Sequence, residues 1–177
     1  MNTPFSVAAQ PRELCCAFSG HRDLSEAALL ALQPRMEQVV TASIAKGYRH
    51  FLAGGAMGFD MLAAITVLNL QFSFPYITLS MILPCPAHDG KWDFAKRGQL
   101  QTICKRANEI LYTAEHYHRG CMMTRNRYLI DHSAALICYC TRESGGTAAT
   151  LQMAQKAMLT IQNLADSHTG SMTTMER

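Results

Sequence analysis

The sequence is short of charge. Asp, Glu, Lys and Arg make up 16% of its 177 residues, and the net charge is only +3. With about half the residues apolar, the chain reads as globular rather than disordered. The slight positive excess tolerates an anionic ligand but builds no dedicated DNA-binding surface. Aromatic residues are also scarce, at 8% with a single tryptophan. Nucleic acid is therefore not an expected partner, because a single-strand groove needs basic charge interleaved with stacking rings. No run approaches the ~18 apolar residues of a membrane span. Residues 1–13 lack the basic-then-apolar design of a signal peptide. These absences predict a cytoplasmic protein with no membrane partner. The seven cysteines are an odd number, and Cys138 and Cys140 sit in an apolar, strand-like run. Reduced, buried thiols fit this better than a disulfide framework.

What is present is alternation. Leu14–Phe18, Tyr48–Ala53, Tyr76–Leu83, Glu109–Tyr112 and Ala134–Cys140 read as short strands, with a weaker sixth over Leu159–Leu164. Between them apolar residues recur at helical spacing, as in Leu32, Met36, Val39, Val40 and Ile44. Pro34 places the main part of that first helix near itself, with proline in the first turn. Further helices are expected over Phe59–Leu70, Lys91–Ala107, Met122–Asp131 and from Gly145 to about Met158. Strict strand–helix alternation with continuous apolar strands predicts an α/β fold. Its sheet should be doubly wound and mainly parallel, with five or six strands and helices on both faces. One domain is expected over residues 14–164, with 1–13 as an extension and 165–177 as a flexible tail.

Ligands in such sheets sit beyond the carboxyl ends of the strands, where three loops qualify. Ser19-Gly20-His21-Arg22 offers close backbone approach, a hydroxyl and a guanidinium fork suited to phosphate. Gly54-Gly55-Ala56-Met57-Gly58-Phe59-Asp60 opens a helix whose free N–H groups favour an anion. There Asp60 either binds ribose hydroxyls or supports the first helical turn. Ser144-Gly145-Gly146-Thr147 combines backbone N–H groups with a hydroxyl and is the strongest anion candidate. Neither the dinucleotide glycine spacing nor a Walker A ending is present. Arg125 and Arg127 lie two apart on a helix, so at most one faces the ligand, with Asn126 between them. Trp92 is either a stacking platform for a base or ordinary packing. His116, His118 and Cys121 do not have closed zinc spacing, so no metal is expected.

Taken in order, these segments resemble one family. Ser19-Gly20-His21-Arg22, Ala53-Gly54-Gly55-Ala56-Met57-Gly58-Phe59-Asp60, Leu83-Pro84-Cys85-Pro86 with Trp92 downstream, Arg125-Asn126-Arg127-Tyr128 and Ser144-Gly145-Gly146-Thr147 are similar to the motifs of the DUF1273, or YpsA-like, branch of the SLOG superfamily. That superfamily is named for the Smf/DprA and LOG proteins. The resemblance spans roughly residues 14–164. It implies a Rossmann-like fold, a nucleotide or ADP-ribose-like ligand with no required cofactor, and a homo-oligomer. LOG enzymes hydrolyse the N-glycosidic bond of nucleoside monophosphates with an arginine and a glutamate. Aligning Thr147 with the threonine of their motif puts Thr150 where the glutamate belongs. A threonine supplies neither charge nor useful proton exchange near neutrality. Ligand binding without turnover, as in a sensor, is therefore the leading expectation. The alternative is an N-glycosidase or phosphoribohydrolase, with Arg125 for the arginine and Asp60 or Glu143 for the carboxylate.

Overall fold

The computed structural model describes residues 5–166. Its strands are β1 (Cys15–Gly20), β2 (His50–Ala53), β3 (Thr78–Leu83), β4 (Glu109–Tyr112), β5 (Ala135–Tyr139) and β6 (Thr160–Asn163). Its helices are α1 (Glu26–Ala45), α2 (Phe59–Leu70), α3 (Phe94–Arg106), α4 (Cys121–Asp131) and α5 (Gly146–Lys156). All six strands join one sheet in the order β4-β3-β2-β1-β5-β6, and every neighbouring pair is parallel. The expected doubly wound sheet is therefore the one observed. The chain starts at β1, winds outward to β4, then returns to lay β5 against the other side of β1. Phe18 pairs with Ile137, Ser19 with Cys138 and Gly20 with Tyr139 across that reversal. A crevice opens between adjacent strands where their connections leave in opposite directions.

The two-residue period of a strand divides the core. Cys16 and Phe18 of β1, Phe51 of β2 and Leu79 and Met81 of β3 pack under α1, α2 and α3. Cys15 and Ala17, Leu52, Ile82 and Leu136 face the other way, with Leu129 and Ile130 of α4 and Ala154 of α5. Phe18 and Phe51 stack at 5.9 Å between ring centroids and are wholly buried. Burying each such ring stabilises the sheet by ~2 kcal/mol.

One helix begins earlier than its proline suggests. α1 starts at Glu26, capped by Ser25, whose Oγ accepts from the Ala28 N–H at 3.2 Å, and Pro34 lies inside it. Pro34 has no N–H to give to the carbonyl of Leu30. Leu30 is on the solvent side, 62% exposed, and the buried stripe of Leu32, Met36, Val39, Val40 and Ile44 is undisturbed. The cap and that stripe outweigh one missing bond.

The segment ahead of β1 is bound to the sheet from Phe5 onward. Val7 is 1% exposed, and its N–H donates to Glu109 Oε2 at 3.0 Å. At the other end Arg35 donates to the carbonyls of Leu164 and Asp166. From residue 167 the expected flexible tail lies outside the described residues. Among the described residues no helix is long and apolar enough to cross a membrane.

Candidate ligand-binding site

All six strands point the same way, so the loops after β1, β2, β3 and β5 converge at one rim. They enclose a cleft of about 410 Å³ beside the β1–β5 reversal. Ser19, Gly20, His21 and Arg22 form one side of it, and Gly54, Ala56 and Asp60 the floor. Met122, Arg125 and Asn126 of α4 form a wall, with Ser144, Gly145, Gly146 and Thr147 opposite. Three arginines line the cleft, Arg22, Arg125 and Arg142, against two aspartates, Asp23 and Asp60. The cleft is therefore positive.

Arg125 is the most constrained of these residues. It is 6% exposed, and its Nη1 stands 3.5 Å from Oδ2 of Asp60, itself 3% exposed. That distance makes an ion pair but a poor hydrogen bond. Neither Nη1 nor Nε of Arg125 has a hydrogen-bond partner. The Asp60 carboxylate faces the backbone N–H of Ala56 at 3.4 Å and those of Gly54 and Gly20. Burial raises the Asp60 pKa, and Arg125 and the three N–H groups pull against that rise. Burial also lowers the Arg125 pKa, with Asp60 opposing; the guanidinium remains charged at any ordinary pH. Asp60 thus braces the first two glycine loops and fixes Arg125. Arg127, two residues on, is exposed.

Gly54 makes this arrangement sterically possible. A Cβ there would lie 1.6 Å from Arg125 Nη1 and 2.8 Å from Asp60 Oδ2. Gly58 has a different reason: its φ is +74°, and a Cβ would meet the His21 carbonyl at 2.7 Å. Gly58 and Gly55 shape the turn without lining the cleft. Trp92 does not line it either. Its ring stands edge-on to His88 at 5.5 Å and packs on the core.

At the far wall α5 begins at Gly146 with Gly145 as its N-cap. No side chain caps it, and its first turn carries no acidic residue. The N–H groups of a helix start, with the positive end of its dipole, face the cleft unneutralised. Thr150, aligned with the LOG glutamate, is fully buried and donates back to the Gly146 carbonyl at 2.8 Å. Glu143 is exposed and outside the cleft. Asp60 is thus the buried carboxylate beside Arg125.

His21 clasps two loops together. Its Nε2 accepts from the Thr141 N–H at 3.0 Å, and its carbonyl accepts from the Phe59 N–H at 3.2 Å. Accepting at Nε2 requires the neutral ring. Burial, and after it the charge of Arg142, hold the His21 pKa below its ordinary value, while Asp23 opposes. A depressed pKa means the unfolded chain binds the proton more tightly. The contribution of His21 is then complete above about pH 6.5, the unfolded value, and is lost as pH falls toward the folded one. Urea denaturation at pH 7.5 and 5.5 should show a smaller acid loss in His21→Gln than in the wild type. Equal losses would mean that other groups carry the acid dependence.

Sequence reasoning did not single out Arg142, Asp23 or His88, all of which line the cleft. Arg142 and Asp23 form an exposed ion pair. Arg142 lies in the same loop as Ser144, directly after β5, so extending that segment back to the strand end would have found it. His88 carries no motif signal.

Comparison with known proteins places this geometry among relatives. A family model for YpsA, described as the YspA SLOG family, matches residues 11–168. The chain is 27% identical over 128 residues to the UPF0398 protein BH1768 of Halalkalibacterium halodurans, covering 71% of this chain and 68% of that protein. It is 26% identical over 144 residues to the SPbeta prophage-derived protein YoqJ of Bacillus subtilis, covering 74% and 84%. Among solved structures it is similar to DNA processing protein A (DprA) of Streptococcus pneumoniae, with TM-score 0.62 and 14% identity. That match covers 84% of this chain but about half, 49%, of the DprA chain. It is also similar to Helicobacter pylori DprA, with TM-score 0.60 and 21% identity over 94% of this chain and 81% of that one.

The Helicobacter pylori structure is described by its single-stranded DNA binding mode. This overturns the expectation that nucleic acid is an improbable partner for a chain of this kind. Net charge and aromatic content are averages over the whole surface, whereas a groove depends on local charge. Here three arginines gather at one rim. With the family motifs, the sheet order and the matched span in agreement, the chain belongs to the YpsA family of SLOG proteins.

Proposed function

We propose that the cleft holds a phosphorylated nucleotide or nucleotide-derived ligand and acts as a sensor rather than a hydrolase. The observation that carries this reading is Arg125, a buried guanidinium with two N–H-bearing nitrogens that lack hydrogen-bond partners. Buried donors left unmatched cost ~1–3 kcal/mol each, and a shift of the guanidinium toward an anion in the cleft would satisfy them. The uncapped start of α5 supplies a second set of donors for the same anion or its neighbour. Asp60, held by backbone N–H groups, supports binding geometry more readily than proton transfer.

Differential scanning fluorimetry with AMP, ADP, ADP-ribose and inorganic phosphate tests the reading. A ligand at 100 times its Kd should stabilise the fold by ~2.7 kcal/mol, with no free base released on long incubation. Absence of any shift across the panel would remove the proposal, and base release would replace the sensor with a hydrolase.

The likeness to Helicobacter pylori DprA favours a second reading, in which the nucleotide is part of a single strand. A short oligonucleotide should then bind in a salt-sensitive manner and be displaced by AMP. Binding that AMP does not displace would place the strand elsewhere.

A further inference from the structure

Two sets of anion donors line the cleft, and they belong to different strands. The first is Arg125. Its Nη1 lies 1.6 Å from where a Cβ of Gly54 would stand, so the guanidinium sits over the end of β2. Nη1 and Nε are buried without partners, whereas Nη2 is not shut off in that way and opens on the cleft. The second set is the start of α5, which follows β5. Gly145 is its N-cap, no side chain caps it, and its first turn holds no acidic residue. Thr147 adds a hydroxyl to those N–H groups at the cleft. Arg22 is exposed and follows β1, the strand between the two.

The strand order sets their separation. β2 and β5 flank β1 in the sheet, so their ends stand two strand spacings, ~10 Å, apart. α4 and α5 also pack side by side, which separates helix axes by ~8–10 Å. One phosphate joins donors no more than ~8 Å apart, two hydrogen bonds of ~2.9 Å and the width of one tetrahedron. It falls short of serving both sets, and a ligand one phosphoryl group longer spans them. Successive phosphates of a nucleic-acid strand are held further apart by the sugar between them. The charges are divided in the same way. Arg125 is matched by Asp60 and Arg142 by Asp23. The charge left for a ligand is that of Arg22 and the positive end of α5, which lie beside Arg125 rather than at it.

We propose that the cleft binds a pyrophosphate group, one phosphoryl at Arg125 and the other at the start of α5, with Arg22 between them. Its ligand is then a nucleoside diphosphate, or a nucleotide joined through a diphosphate bridge, rather than a nucleoside monophosphate. The cleft volume of about 410 Å³ is in the range that encloses a ligand of this size. The proposal rests on the ligand reading above and narrows it.

Titration calorimetry of the full chain with phosphate, pyrophosphate, AMP, ADP and ADP-ribose tests it. Pyrophosphate should bind at least ~10-fold tighter than phosphate, and ADP and ADP-ribose at least ~10-fold tighter than AMP. AMP and ADP-ribose both carry about two negative charges near neutrality, so an advantage for ADP-ribose does not come from total charge. A preference for ADP assigns a terminal diphosphate and one for ADP-ribose a bridging diphosphate; either supports the proposal. Thr147→Asp sets a carboxylate against the N–H groups of α5 and complements the helix end, so it should fold at least as stably as the wild type. It should weaken pyrophosphate, ADP and ADP-ribose by at least ~10-fold but phosphate by no more than ~2-fold. Equal wild-type affinity for phosphate and pyrophosphate overturns the proposal. So does an equal loss of both in Thr147→Asp, which would mean one shared anion position. A 5′-phosphorylated dinucleotide that binds tighter than pyrophosphate also overturns it and gives the two positions to successive phosphates of a strand. If phosphate and every nucleotide fail to bind, the ligand reading falls and takes the proposal with it; phosphate binding without a pyrophosphate preference removes the proposal alone.

Discussion

Arg125→Met is expected to abolish phosphate binding and to destabilise the fold by ~3 kcal/mol or more, the usual cost of breaking a buried ion pair. Methionine keeps much of the side-chain volume, so the loss comes from charge. Asp60, 3% exposed, would keep its three backbone donors but lose its cation. Its pKa, already raised by burial, would rise further. A raised carboxyl pKa means the folded state takes up the proton before the unfolded state does. The penalty should therefore be full at pH 8 and shrink as pH falls through the folded pKa of Asp60. Urea denaturation at pH 8 and pH 5 measures both the size and the sign. Arg125→Met/Asp60→Asn should recover much of the stability at pH 8 and still fail to bind phosphate. That separation assigns the pair to structure and the guanidinium to the ligand. A single variant that is as stable as wild type and still binds would refute both roles.

Gly54→Ala should be nearly as damaging, through a single methyl group. Its Cβ would stand 1.6 Å from Arg125 Nη1 and 2.4 Å from Cζ. Gly54 does not have a positive φ, so the penalty is steric rather than conformational. The guanidinium must leave its place, and the ion pair with Asp60 goes with it. Overpacking of this kind costs ~1–3 kcal/mol before the lost pairing is added. Phosphate affinity should drop by at least ~10-fold, equivalent to 1.4 kcal/mol. Gly98→Ala provides the contrast. Gly98 lies inside α3, and a Cβ there meets nothing within 4 Å. That change should stabilise the protein by ~0.5–1 kcal/mol and leave binding untouched. Thermal denaturation with and without phosphate reads both variants. Wild-type affinity in Gly54→Ala would show that Arg125 can rearrange without cost and does not set the site.

Most of the fold was legible because its signals are local. α2 was expected over Phe59–Leu70 and β4 over Glu109–Tyr112, and both have those bounds. Continuous apolar runs such as Ala134–Cys140, observed as the strand Ala135–Tyr139, signal burial on both faces. Pro34 points to a helix start near itself, but α1 begins at Glu26, because Leu30 faces solvent, where one lost backbone bond is cheap. In the site, the glycine loops were visible as composition. Arg142 stands just outside the Ser144–Thr147 segment, within reach of a longer local window, whereas His88 belongs to no local pattern and only the convergence of four loops brings it to the cleft.

The sequence alone determined the strand–helix alternation, the parallel sheet that follows from it, and the small-residue turns at the strand ends. Each is set by periodicity or by backbone freedom within a few residues. The tertiary structure decided which polar groups meet. It turned Arg125 inward and Arg127 outward, set Asp60 against Arg125, gave Thr150 to its own helix, and seated Trp92 against His88 rather than in the cleft. Those outcomes depend on distances between segments far apart in the chain, and burial, which sets the value of each charge, exists only once those segments have packed.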